Sequence, residues 1–187
     1  MKLEEVCAAL ERRGYEAMVC DRESAVDYVL TQARNAANVG WGGSESVKEL
    51  ALREKIASLG KEIRDHRTDC DLFLLSANAL LEDGRIVNID GAGNRVSASI
   101  YGPKKVVYIV GRNKIVSGGV DDAIRRIKSC ACPPNARRLG KKTPCALAGK
   151  CADCDSPDRI CKVTAVFERA PTRTPTAVLL VDGDLGY

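Results

Sequence analysis

Nine cysteines stand in a chain of 187 residues, and six of them fall between Cys130 and Cys161. The run Cys145-x5-Cys151-x2-Cys154-x6-Cys161 brings four thiols close enough in sequence to surround one metal, with Cys130 and Cys132 upstream. Four thiolates suit structural zinc or an iron–sulfur cluster, which makes Cys145, Cys151, Cys154 and Cys161 the candidate ligands. The spacing matches neither the bacterial ferredoxin run nor a pair of CxxC knuckles, so it leaves the metal open. A redox pair at Cys151 and Cys154, or plain buried thiols, are the competing readings. Lys141, Lys142, Lys150, Arg159 and Lys162 lie among these cysteines, where their charge would favour thiolate and offset a four-sulfur site. Cys7, Cys20 and Cys70 are scattered through apolar or edge positions and read as small core residues.

Two loops offer a different chemistry. Gly42-Gly43-Ser44 follows a short extended run and precedes a helix, so its backbone amides can approach an anion. The string is neither GxxxxGK[ST] nor GxGxxG, which excludes the nucleotide P-loop and the dinucleotide fingerprint. Ser46 and Glu49 have the spacing of a capping box for that helix. Further on, Glu82, Asp83, Asn88, Asp90, Asn94 and Arg95 crowd the ends of a predicted hairpin. Glu82 or Asp90 can serve as a base or nucleophile there, and Arg95 can clamp a carboxylate. Asp83-Gly84 and Asp90-Gly91 also read as plain turn chemistry. The single histidine, His66, argues against a histidine-based triad and is expected at the surface.

The elements that must hold these groups are legible in the periodicity. Leu3, Val6, Cys7 and Leu10 make one face of a helix closed by Gly14. A strand at 15–20, a helix led by Asp21 to Ser24, an extended run at 38–41 and a strand at 62–65 follow. The apolar run 71–81 is expected as one strand buried on both faces. Asp83-Gly84 then turns the chain into a strand at 85–89. Strands at 106–110, 163–167 and 178–181 and a helix at 121–128 complete the pattern, while 130–161 has no sustained period. Alternating strands and helices predict an α/β layered domain with a largely parallel sheet, one domain over 1–187.

Composition bounds the partners. The chain is 45% hydrophobic and 29% charged, as a globular protein should be. No apolar run reaches the roughly 20 residues of a membrane span, and Glu4 and Glu5 spoil a secretory signal, so a cytoplasmic protein is expected. Positions 101–173 hold 16 Lys and Arg against 6 Asp and Glu, a basic half suited to a small anionic ligand or an acidic partner. Aromatics at 4% leave few platforms for stacked bases, which argues against nucleic acid.

Taken together, VGWGGSES, SANALLEDGRIVNIDGAGNRV, YGPKKVVYIVGRNKIV, NARRLGKKTPC and CADCDSPDRIC resemble the LUD-domain proteins, the lactate-utilization family that includes LutC-like members. The resemblance runs over roughly positions 39–187. It implies a Rossmann-like α/β sandwich of the kind shared by CoA-transferases, ribose-phosphate isomerases and glucosamine-phosphate (NagB-like) deaminases. It also implies an accessory role beside iron–sulfur proteins in oxidising L-lactate to pyruvate. In that superfamily a glycine-rich loop binds phosphate or CoA, a place Gly42, Gly43 and Ser44 would take, and Glu82 is the candidate for the catalytic carboxylate. The alternatives are an independent enzyme acting on a phosphorylated or CoA-linked small molecule, and a zinc-stabilised binding module. Self-association as a homo-oligomer is left open.

Overall fold

A computed structural model describes residues 2–65 and 68–187. The amphipathic helix α1 (Leu3–Arg12) turns through Gly14 into β1 (Glu16–Cys20). Asp21 then caps α2 (Arg22–Asn35), its carboxylate accepting the Ser24 amide at 2.7 Å. β2 (Asn38–Trp41), α3 (Glu45–Glu49), α4 (Leu52–Ser58), β3 (Glu62–Asp65) and β4 (Leu72–Leu75) follow. The next group is β5 (Ala79–Leu81), β6 (Ile86–Asp90), α5 (Asn94–Ile100) and β7 (Lys105–Gly111). A 3-10 turn over Arg112–Lys114 leads to β8 (Ile115–Val116). Then come α6 (Val120–Arg126), a π turn at Ile127–Ala131, α7 (Cys132–Arg138) and α8 (Pro144–Ala148), and finally β9 (Val163–Phe167) and β10 (Thr176–Val181).

Six strands form a parallel sheet in the order β1-β10-β7-β4-β2-β3, and a second sheet runs β8-β5-β6-β9. Alternation along the strands sorts the core into layers. Leu72, Leu74, Val107, Ile109, Leu179 and Val181 point to the side covered by α2, α3 and α4. Phe73, Leu75, Val106, Val110, Val178 and Leu180 point the other way and pack on Leu80, Ile86 and Phe167 of the second sheet, and on Val6 and Leu10 of α1. The far face of that sheet, Ala79, Leu81, Val87 and Ile89, is covered by Ala123, Ile127 and Ala131. The result is a layered α/β fold with a helix layer outside each sheet.

Three local expectations change. The run 71–81 is two strands in different sheets, parted at Ser76-Ala77-Asn78. A single strand cannot pair with both sheets. The helix expected after the glycines breaks at Ala51, whose φ of 50° stops α3 and restarts the chain as α4. The segment 130–161 contains α7 and α8 before it becomes irregular. Pro144 sits in the first turn of α8, where the missing amide costs nothing, and Pro133 and Pro134 follow directly on the π turn.

Candidate functional site

A cavity of about 580 Å³ opens at the carboxyl ends of β2, β4 and β7. Gly42 to Ser44 follow β2, Ser76 to Asn78 follow β4, and Lys114 ends the 3-10 turn after β7. From β2 the chain winds outward to the edge strand β3; from β4 it winds the other way, to β7 and β10. The crevice between β2 and β4 is therefore where the winding reverses, the place open α/β sheets use for ligands. Ile89 to Asn94, the start of α7 and residues 157–162 close the other side.

Arg95 spans this cavity on a scaffold of acceptors. Its Nη2 donates to Asp90 Oδ1 at 3.0 Å and to the Ile89 carbonyl at 2.8 Å, and Nε reaches the same carboxylate at 3.2 Å. The other Asp90 oxygen accepts the Arg95 and Val96 amides at 2.9 and 3.2 Å, so one buried carboxylate both starts α5 and aims the guanidinium. A Cβ on Gly42 would lie 2.5 Å from Arg95 Cγ, so the glycine is what lets the arginine stem cross the loop. Behind Arg95, Asn78 and Asn88 tie the two hairpin strands together. The Asn78 and Ile89 amides donate to the Asn88 and Asn78 side-chain oxygens at 2.8 and 2.9 Å, and Asn88 Nδ2 donates to Tyr108 Oη.

Lys114 is the residue no sequence signal pointed to. It is 5% exposed, and its Nζ donates to Ser46 Oγ at 2.7 Å and Ser76 Oγ at 3.0 Å. No carboxylate forms an ion pair with it among the described residues. Burial first, then the Arg126 and Arg95 charges, push the amine down to about 7, against a weaker opposing pull from Glu49. Its hydroxyl partners also redefine the local helix. Ser44, not Ser46, caps α3, while Ser46 turns inward to Lys114 and the Leu185 carbonyl, and Glu49 accepts the Gly186 amide. At five residues α3 is too short to lend the glycine loop much of a dipole.

Of the residues expected to bind a ligand, Gly42, Gly43, Ser44, Asp90, Asn94 and Arg95 line the cavity. Asn88 lies one layer behind it. Glu82 and Asp83 are at the far tip of the β5–β6 hairpin, where Glu82 accepts Ser117 Oγ and Asp83 pairs with Arg85 and Arg13. The hairpin explains the separation: its open end, 78 and 88–90, lies at the carboxyl ends of the parallel strands, and its turn lies at the opposite end. His66 lies outside the described residues.

The lining carries Arg95, Lys114, Arg138, Lys141, Arg159 and Lys162 against Glu45, Asp90 and Asp158, a positive balance. Glu45 is taken up by Arg138 at 3.3 Å.

The cysteines come together differently from their spacing. Cys132 and Cys145 are buried, and Cys151, Cys154 and Cys161 half-buried. The Cys132 thiol touches Cys161, with Cys145 and Cys151 near enough to oppose its ionisation. With burial as the larger cause, these neighbours push it up to about 12. Cys154 is not in this group; its carbonyl accepts Arg159 Nη1, while Arg159 Nε holds the Cys161 carbonyl. The Asp153 amide donates to Cys151 Sγ at 3.4 Å, and Lys128 anchors the Asp153 carboxylate at 2.7 Å. The donor chemistry suits a thiophilic metal. The placement is not that of a closed ligand set, because among the described residues no three His, Cys, Asp or Glu side chains stand as one.

The family model of the LUD domain matches residues 3–181. The crystal structure of a DUF162 family protein from Deinococcus radiodurans superposes with a TM-score of 0.57 at 14% identity, covering 96% of this chain and 99% of that one. At that identity the likeness concerns the fold. No curated protein matches the chain.

Proposed function

We propose that this chain, which belongs to the LUD-domain family, serves lactate utilization by binding a small anionic metabolite in the cavity beside Arg95 and Lys114. The observation that carries the reading is the positive lining at the winding reversal, with a guanidinium pre-aimed by a buried carboxylate. Short carboxylates such as L-lactate and pyruvate match its charge and fit within it, and larger phosphate-bearing compounds match both its charge and its size. In this reading the protein is the accessory component beside the iron–sulfur proteins that oxidise L-lactate to pyruvate. An independent enzyme on a phosphorylated or CoA-linked substrate would use the same lining. Among the described residues no helix is long and apolar enough to cross a membrane.

Thermal unfolding with L-lactate, pyruvate, inorganic phosphate and coenzyme A tests this. A ligand at a hundred times its Kd adds about 2.7 kcal/mol, a rise in Tm of roughly 5–10 °C for a chain of this size. A flat response to all four would sink the reading.

The cysteine segment carries a second proposal: an iron–sulfur cluster or zinc held by Cys145, Cys151 and Cys161, with Cys132 or Cys154 as the fourth ligand. Its support is the contact of Cys132 with Cys161 and the nearness of Cys145 and Cys151, beside the cations Lys128 and Arg159. A cluster would supply one-electron transfer; zinc would supply structure alone. Anaerobic purification with metal analysis is expected to give bound iron or zinc. Cys132→Ser is expected to lose most of it and Cys154→Ser to keep it. A metal-free wild type would end the proposal, and the reverse order of the two variants would restore Cys154 as the ligand.

A further inference from the structure

The lysine at the cavity floor is placed unlike a cation that binds anions. Such a cation must keep its charge, whereas Lys114 is buried with serine hydroxyls as its hydrogen-bond acceptors and no carboxylate paired with it among the described residues. Three elements enclose it. Ser46 comes from α3, Ser76 from the end of β4, and Gly186 from the chain after β10, where a Cβ would sit 3.4 Å from Nζ and 2.7 Å from Ser46 Oγ. The charged groups facing it are Arg95 and Arg126, which disfavour its proton, and Glu49, which favours it. Arg126 is itself fixed by the Asn78 and Asn113 carbonyls at 2.7 and 3.1 Å. A large share of this amine is therefore neutral near pH 7, and a neutral amine is a poor anion clamp but a good nucleophile.

The geometry points to Lys114 Nζ as a nucleophile that forms a Schiff base with a small carbonyl compound bearing an acidic group, a 2-oxo acid being the simplest. This rests on the cavity binding a small anion: Arg95 holds the acidic group and presents the carbonyl carbon to the amine. The nitrogen lone pair attacks that carbon, and the carbonyl oxygen takes up a proton to give a carbinolamine. Loss of the remaining N–H proton and departure of the hydroxyl as water leave the C=N bond, so amine and carbonyl become imine and water. Ser46 and Ser76, both on Nζ, are placed to hand these protons on. The imine withdraws electrons from the neighbouring carbon, which is what such a lysine contributes to carbon chemistry.

Incubation of the full chain with pyruvate and borohydride at pH 7, followed by peptide mapping, tests the assignment. The expected result is one reduced adduct per chain, on the peptide containing Lys114. L-Lactate, which has the carboxylate but no carbonyl, should stabilise the protein and leave no adduct. In Lys114→Arg the adduct should vanish. Should that variant fail to fold, the wild type still decides, because Lys114 must be labelled at pH 7 far ahead of the surface lysines. Labelling spread evenly over the lysines overturns the inference. Stabilisation by both acids without an adduct also overturns it and leaves the anion site standing; no stabilisation and no adduct overturns both.

Discussion

Asp90→Ala is expected to lower Tm by roughly 6–20 °C, the largest loss of any single change at the site. The carboxylate is buried, accepts two first-turn amides of α5 and holds the Arg95 guanidinium through two nitrogens. Its removal leaves a mostly buried charge with, among the described residues, the Ile89 carbonyl and Asn78 as its remaining partners. Breaking a buried pair from one side costs about 3–5 kcal/mol, and each kcal/mol moves Tm by about 2–4 °C at this length. Asp90→Asn keeps an oxygen for the amides and loses only the charge, so it should fall between. Freed from its anchor, Arg95 should also lose its aim, and the stabilisation by small acids should disappear with it. Thermal and urea unfolding of the three proteins check the order. A loss below about 1 kcal/mol in the alanine variant, the range of an exposed pair, would show that Asp90 does not carry this structure.

Lys114→Met should change the pH dependence of stability most. The folded-state value of about 7 lies below the roughly 10.4 of an unfolded lysine. Below pH 7 both states hold the proton, and the wild type bears the full cost of burying the charge. Between pH 7 and about 10.4 the unfolded chain holds more protons than the folded one, so stability rises with pH. Above that the contribution is flat. Methionine abolishes this rise at the expense of two serine hydroxyls left with one partner fewer. The wild type should therefore gain on Lys114→Met by several degrees of Tm between pH 7 and pH 10. Parallel curves over that range would mean that the lysine stays charged and solvated.

The hairpin shows where reading the sequence succeeds and where it stops. Asp83-Gly84 marks a turn, and the apolar runs on either side of it mark strands; both follow from local sequence. Which end of that hairpin reaches the cavity depends on β4 and β5 separating at Ser76-Ala77-Asn78, and nothing local announces the break. Asp90, Asn94 and Arg95 were thus legible as candidates, while Glu82 and Asp83, equally polar and equally near a glycine, belong to the opposite tip. Cysteine spacing likewise identified a dense thiol segment but not that Cys132, at the start of α7, would lie beside Cys161.

By itself the sequence determined most of the order of strands and helices, the glycine loop after the second strand, and the excess of positive charge late in the chain. These are properties of neighbours within a few positions, set by period, turn chemistry and composition. Only the tertiary structure decided that Lys114 is buried. In the string GRNKIV it looks like any exposed lysine after a strand. Its neighbours Ser46, Ser76 and Gly186 arrive from three distant stretches of chain, and desolvation is a sum over everything that packs against a group.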